Sequence, residues 1–293
     1  MPDADTPPEG PTPSLLTRTT LLELMERFGL EPHRTLGQNF VVDQNTIRKI
    51  VRLAGVGPGD KVIEIGPGLG SLTLGLLEAG ADVTAVEIDQ RLIAPLTEVT
   101  GGRARIVPAD ALTVDWAPIV GDDSWTVVAN LPYNVATPVV LRLLDEVPSV
   151  RRMLVMVQRE VGERLAAGPG SKAYGIPSVK VGFHGGARLV GMVGAEVFHP
   201  QPKVTSALVE VWRDAAPAAD VDEDVLFDLV RAGFGQRRKM LRRALEGRVT
   251  EAQFETAGID GTRRAEELDI AAWCRLAEAV QQGDPGVTGG VAR

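Results

Sequence analysis

The sequence predicts a Rossmann-like α/β domain of about seven strands, mostly parallel, followed by a small all-helical domain. Three observations predict it. Four short apolar runs recur between residues 61 and 130, with helix-like segments between them. A glycine-rich turn, Gly66, Gly68 and Gly70, follows the first run. Beyond an Ala-, Pro- and Asp-rich stretch near 214–224, the pattern becomes wholly helical.

Taken in order, the N-terminal stretch MPDADTPPEGPTPS is acidic and Pro-rich and reads as a disordered tail over 1–16. Leu21, Leu22, Met25, Phe28 and Leu30 recur at helical spacing, with Thr19 or Thr20 as the N-cap. Strands are predicted at 61–65, 82–88, 104–109 and 125–130, and helices at 71–80 and 90–99. A helix at 138–147 and a strand at 152–158 extend the alternation. Residues 187–193 and 206–213 read as two strands with no helix between them, an antiparallel pair that closes the sheet. This domain spans 17–213. Helices at 224–234, 238–246, 251–258 and 269–283 build a second domain over 214–282, and 283–293 read as another tail.

Composition excludes several classes. An apolar content of 44% suits a globular core. No apolar run reaches the roughly 18 residues of a membrane span. The N-terminus lacks the basic and apolar regions of a signal peptide, and the single Cys274 fits a reducing compartment, so the cytoplasm is expected. His33, His184 and His199 lack ligand-like spacing, and no metal is expected. A net charge of −8 speaks against indiscriminate coating of nucleic acid but allows a local basic face. Nothing suggests an obligate dimer.

The carboxyl ends of the strands carry the candidate cofactor residues. Gly66, Gly68 and Gly70 allow a tight turn and close backbone approach to a ligand, although Ser71 stands where the dinucleotide fingerprint wants a further small residue. Glu87, about 20 residues beyond the first glycine, ends the next strand and can accept both ribose hydroxyls. Asp110 after the third strand is placed to accept from the exocyclic amine of an adenine. This end alone suits NAD and S-adenosylmethionine equally.

The fourth strand runs into Asn130, Leu131, Pro132 and Tyr133. This has the form of the Asn-x-Pro-Tyr tetrad of methyltransferases that act on exocyclic amines of bases. The Asn130 side-chain oxygen and the Leu131 carbonyl can hold the two N–H bonds of an adenine N6. Pro132 stiffens the turn, and Tyr133 offers a face on which an extruded base stacks. Asn134 is read as a possible cap for the following helix. Phe198, expected to be exposed at the start of the extended loop held by two prolines within 196–211, is a second stacking face. Residues 37–51 are expected to cap the cofactor, with Asn39 reaching its carboxylate or sulfonium region.

The motifs LGQNFVVD, EIGPGLGSLT, VEID, PADAL, NLPYNVATPVV, MVQREVGERL, VFHPQPKVTSALV and GFGQRRKMLRRAL occur in that order from about residue 17 to 281. Together they resemble the ribosomal RNA adenine N6,N6-dimethyltransferases, and most nearly the small-subunit branch associated with kasugamycin sensitivity. The resemblance implies a seven-stranded methyltransferase domain and S-adenosylmethionine as cofactor. It also implies dimethylation of two adjacent adenosines in the 3′-terminal hairpin of 16S ribosomal RNA. It maps the cofactor contacts onto Asn39, Val41, Gly66, Glu87, Asp110 and Asn130. Family members often carry Leu where this chain has Val41.

The stretch Arg231–Arg243 holds six basic residues and no acid. On a helix, Arg238 with Arg242 and Lys239 with Arg243 lie at i,i+4, which predicts a basic ridge. Arg237, Arg238, Lys239, Arg242, Arg243 and Lys203 are therefore the candidate RNA contacts. Rival readings are a large-subunit enzyme of the macrolide-resistance type or a DNA adenine methyltransferase, a non-catalytic ribosome-assembly factor, and a nicotinamide-dependent oxidoreductase.

Overall fold

A computed structural model describes residues 15–33 and 36–283. The predicted tails lie largely outside these residues. At their inner edges, Leu15 is 4% exposed and packs into the core, and Gly283 still belongs to the last helix.

The elements run α1 (Arg18–Arg27), β1 (Phe40–Val41), α2 (Gln44–Ala54), β2 (Lys61–Ile65), α3 (Ser71–Glu78), β3 (Asp82–Glu87) and α4 (Gln90–Thr100). Next come β4 (Arg105–Pro108), α5 (Ala117–Val120), β5 (Trp125–Asn130), α6 (Ala136–Glu146), β6 (Val150–Gln158), α7 (Arg159–Leu165) and α8 (Ile176–His184). The chain continues through β7 (Gly185–Val193), β8 (Phe198–His199) and β9 (Ser206–Arg213) to α9 (Glu223–Gly235), α10 (Leu241–Ala244), α11 (Glu251–Ala257) and α12 (Ile270–Gly283).

Seven strands form one sheet in the order β4-β3-β2-β5-β6-β9-β7. The pairs from β4 to β6 are parallel, and β9 is antiparallel to both β6 and β7. The expected antiparallel pair exists, but its second strand is seated inside and its first at the edge. Strand order reverses between β2 and β5, where a doubly wound sheet opens a cleft at its carboxyl end.

Alternation along the strands divides the core. Val62, Val128 and Leu154 pack with Ile47, Ile50 and Leu74 on one face. Ile63, Val127 and Val155 pack with Val140 and Leu143 on the other. Both faces are covered, so these strands read as near-continuous apolar runs.

A third core holds the C-terminal helices, and it includes Tyr174, Val179 and Phe183. Helix α8, upstream of the linker at which the sequence divides the chain, thus bridges the two units, with Val179 and Phe183 in the helical core and Val181 in the core of the sheet. Helices α7 and α8 lie in a stretch for which no helix was predicted.

Three local expectations differ. Thr17, not Thr19 or Thr20, caps α1, in a reciprocal pair with Thr20. Helix α6 begins at Ala136 with Val135 in the cap position, so Asn134 is not its cap. The helix predicted over 238–246 shrinks to the single turn α10. The Leu241 and Arg242 N–H groups donate to the Arg263 and Gly261 carbonyls, at 2.7 and 2.9 Å, and Met240 before them is extended.

Candidate active site

Gly66, Gly68 and Gly70 have φ of 68°, 61° and 89°, left-handed values that L side chains resist. A Cβ on Gly68 would also lie 2.8 Å from the Phe40 ring. Glu87, buried at the end of β3, locks this turn. Its Oε2 accepts the Gly68 N–H at 3.0 Å and its Oε1 the Asp89 N–H at 2.8 Å. Each oxygen keeps a second lone pair, so two ligand hydroxyls can still be accepted. Burial pushes the Glu87 pKa up, and the two N–H donors pull it down.

Asp110 follows β4, and its Oδ1 accepts the Leu112 N–H at 2.8 Å. This Asx turn leaves Oδ2 without a partner among the described residues. Arg142 of α6 holds the same loop through the Ala111 and Val114 carbonyls, both at 2.9 Å. No sequence signal singled out Arg142, because its role depends on a loop about thirty residues earlier in the chain.

The tetrad closes β5. The Leu131 N–H donates to the Met156 carbonyl at 3.0 Å, extending the β5–β6 ladder, and the Leu131 side chain is buried. The Pro132 carbonyl accepts the Val135 and Ala136 N–H groups, both at 3.1 Å, and turns the chain into α6. The Leu131 carbonyl accepts no hydrogen bond from the described residues. Asn130 Nδ2 donates to the Asn39 carbonyl at 2.9 Å. A carbonyl can only accept, so this contact identifies the nitrogen and leaves Asn130 Oδ1 as the open acceptor. Tyr133 is half-buried, with its hydroxyl 2.9 Å from Ser206 Oγ. Burial raises its pKa, and the Ser206 contact lowers it.

The segment before α2 is pinned over this end of the sheet. Strand β1 pairs antiparallel with β8, Phe40 opposite His199 and Val41 opposite Phe198. Gln38 Nε2 donates to Asp89 Oδ2 at 2.9 Å, and Gln38 Oε1 accepts the His33 N–H at 2.7 Å. Asp89 is also paired with Arg91, which holds its pKa down at about 2 with help from Gln38. One cleft is thus lined by Asn39, Val41, Gly66, Gly68, Glu87, Asp110 and the four tetrad residues.

Phe198 does not join them. It is 1% exposed and packs with Val41, Ile47, Met156 and Leu208. The pairing of β8 with β1 turns it inward, so the expected exposed stacking face is instead a core ring. The exposed apolar side chain of that loop is Val204, beside an exposed Lys203.

Glu64, unnoticed in the sequence, also lines the cleft. It is 1% exposed, and burial, the largest effect, raises its pKa to about 8 with a smaller push from Glu87. The Thr73 hydroxyl lowers it somewhat, although Glu64 Oε2 and Thr73 Oγ1 do not meet as a hydrogen bond and each lacks a partner among the described residues. Its only sequence signal was a charge inside the apolar run KVIEI.

The basic stretch is not one ridge. Arg237 is a structural tie, paired with Glu266 and donating to the Lys172 carbonyl at 2.9 Å. Arg243 faces Glu246 at 3.6 Å. Arg238, Lys239 and Arg242 are exposed and form no ion pair among the described residues. Elsewhere, the fold gathers Asp145, His184 and Glu223, a grouping invisible in the histidine spacing. Its charge is already answered: Lys180 pairs with Asp145, and Arg213 Nη1 lies 3.4 Å from His184 Nδ1.

Residues 29–282 match the ribosomal RNA adenine dimethylase family. The chain belongs to that family. It is 49% identical to the Ribosomal RNA small subunit methyltransferase A of Nocardia farcinica, over 94% of this chain and 99% of that protein. It is 50% identical to the protein of the same name from Bifidobacterium adolescentis, over 87% and 90%. Among solved structures, the 23S rRNA methyltransferase ErmE superposes with a TM-score of 0.64 at 26% identity, over 83% of this chain and all of that one. A dimethyladenosine transferase from Plasmodium falciparum superposes at 0.71 with 22% identity, over 83% and 98%, a likeness of fold. The chain is therefore a methyltransferase of ribosomal RNA adenines that uses S-adenosylmethionine. No helix among the described residues is long and apolar enough to cross a membrane.

Proposed function

We propose that this enzyme dimethylates N6 of two adjacent adenosines in the 3′-terminal hairpin of 16S ribosomal RNA within the small ribosomal subunit, in the course of subunit biogenesis. It acts in the cytoplasm, as a monomer and without a metal. The small-subunit assignment is supported by the names of its relatives at about half identity and by the resemblance of the C-terminal stretches GQRRKMLRRAL and RRAEELDI to the small-subunit branch.

The donor set in the cleft fits the cofactor. Glu87 would hold the ribose hydroxyls and Asp110 the adenine amine. Asn39 and the Val41 region would hold the amino-acid end, against the bare backbone of Gly66 and Gly68. When bound, the cofactor supplies an electrophilic sulfonium methyl group.

The protein's own part is aim. An adenine N6 is a poor nucleophile because its lone pair is delocalised into the ring. In the first transfer Asn130 Oδ1 and the Leu131 carbonyl accept its two N–H bonds and favour a pyramidal nitrogen whose lone pair is directed at the methyl. In the second, the monomethylated amine gives its one remaining N–H to one of these acceptors. The observation that carries this reading is the 2.9 Å bond from Asn130 Nδ2 to the Asn39 carbonyl, which orients the amide with its oxygen available. Tyr133 stacks the extruded base, worth roughly 1–3 kcal/mol. The alkylated nitrogen is acidic and loses its proton to water, so catalysis is positioning and electrostatics. Arg238, Lys239, Arg242 and Lys203 lie along the RNA backbone.

Mass mapping of modified nucleosides after incubation with unmethylated small subunits, large subunits and duplex DNA tests the substrate. Two adjacent dimethyladenosines in small-subunit RNA are expected. Methylation of large subunits alone would overturn the assignment.

A further inference from the structure

Ser206 is the first residue of β9, and its side chain is fully buried at 0% exposure. A hydroxyl there must find a partner or carry the cost of desolvation. Its Oγ has one among the described residues, the Tyr133 hydroxyl at 2.9 Å. The backbone around Ser206 is held from both sides, opposite Gln158 of β6 and Val193 of β7. The preceding Thr205 carbonyl accepts the Arg159 N–H at 3.1 Å. Tyr133, by contrast, sits in the turn between β5 and α6. The bond therefore ties a side chain of the turn to the interior of the sheet.

Stacking by itself needs only the face of an aromatic ring, which Phe supplies as well as Tyr. A phenol hydroxyl directed at a buried serine has a different use: it anchors the far end of the ring and so fixes where that face stands. Orientation matters here because a base misplaced by about 1 Å loses alignment with the acceptors that aim its amine.

We propose that Ser206 is a positioning residue for methyl transfer: through the Tyr133 hydroxyl it holds in place the ring on which the target adenine stacks. This rests on the reading of Tyr133 as the stacking platform. Either hydroxyl can be the donor without changing the constraint.

The test compares wild type, Ser206→Ala, Tyr133→Phe, the double variant and Tyr133→Ala. Turnover and KM are measured separately for S-adenosylmethionine and for unmethylated small subunits. Tyr133→Phe removes the same bond without touching β9, so the outcome does not depend on how Ser206→Ala folds. Each single bond-removing variant should lose about three- to tenfold in kcat/KM toward the subunit, the scale of one hydrogen bond. The double variant should lose no more than either single one, with cofactor KM unchanged. Tyr133→Ala should lose far more. Losses that multiply in the double variant, or a cofactor KM that rises alongside the subunit KM, would overturn the proposal. Wild-type rates for Ser206→Ala and Tyr133→Phe with an inactive Tyr133→Ala would sink the role of Ser206 alone. An active Tyr133→Ala would sink the stacking reading beneath it.

Discussion

Replacing Glu64 by Gln removes one ionisation from the floor of the cleft, and its effect on stability can be worked out from burial. The carboxyl group is 1% exposed, and its pKa rises from 4.5 to about 8. Below about pH 4.5 both the folded and the unfolded chain hold the proton, and the folded state bears no penalty. As pH rises from there to about 8, the unfolded chain has released the proton while the folded chain keeps it. Stability then falls by about 1.4 kcal/mol per pH unit. By pH 7 the accumulated loss is ~3 kcal/mol, and above about pH 8 it stays constant. Gln cannot ionise, and its amide can reach toward the Thr73 hydroxyl, which lacks a partner among the described residues. Urea unfolding of cofactor-free protein at half-unit intervals from pH 5 to 8.5 reads this directly. Wild type should lose stability across the window, whereas Glu64→Gln should be flatter and more stable at the alkaline end. Glu87, whose pKa is raised in the same sense, is present in both proteins and largely cancels from the difference. Parallel pH profiles for the two proteins would refute the reasoning.

Other perturbations address the cleft and the RNA face. Asn130→Ala should lower turnover by about 100-fold or more, the scale of removing one preorganised polar group, with an unfolding midpoint near wild type; near-normal dimethylation in a mass assay would contradict the two-acceptor mechanism. Arg142→Ala strips two carbonyl contacts from the Asp110 loop, and cofactor affinity by titration calorimetry should fall about tenfold; an unchanged Kd would mean the loop holds itself. Arg238→Glu with Arg242→Glu should weaken subunit binding and flatten its dependence on log salt by about 1.5–2, leaving cofactor affinity intact. Equal losses of both affinities would mark these arginines as structural.

The sequence carried much of the sheet because its parallel strands are buried on both faces. Lys61–Ile65 and Trp125–Asn130 therefore stand out as apolar runs whose limits coincide with the observed strands. Gly66, Gly68 and Gly70 were equally legible, since a left-handed turn beneath a ligand leaves few other residues possible. The tetrad could be read because its chemistry is local: a side-chain oxygen and the next carbonyl, adjacent in the chain.

What the sequence could not decide was direction and partnership across distance. Phe198 looked exposed in a Pro-rich loop, and only the pairing of β8 with β1 turns it into the core. Residues 238–246 have helical composition, yet the Arg263 and Gly261 carbonyls take the N–H groups that would have extended the helix. Arg237 reads as one more basic residue until Glu266 and the Lys172 carbonyl claim it. The amide orientation of Asn130, the burial of Glu64 and the Ser206–Tyr133 contact have the same origin. Periodicity and local spacing record which face of an element is apolar, and that much the sequence determined. Which polar atom finds which partner depended on elements far apart in the chain coming to within about 3 Å, and only the tertiary structure decided that.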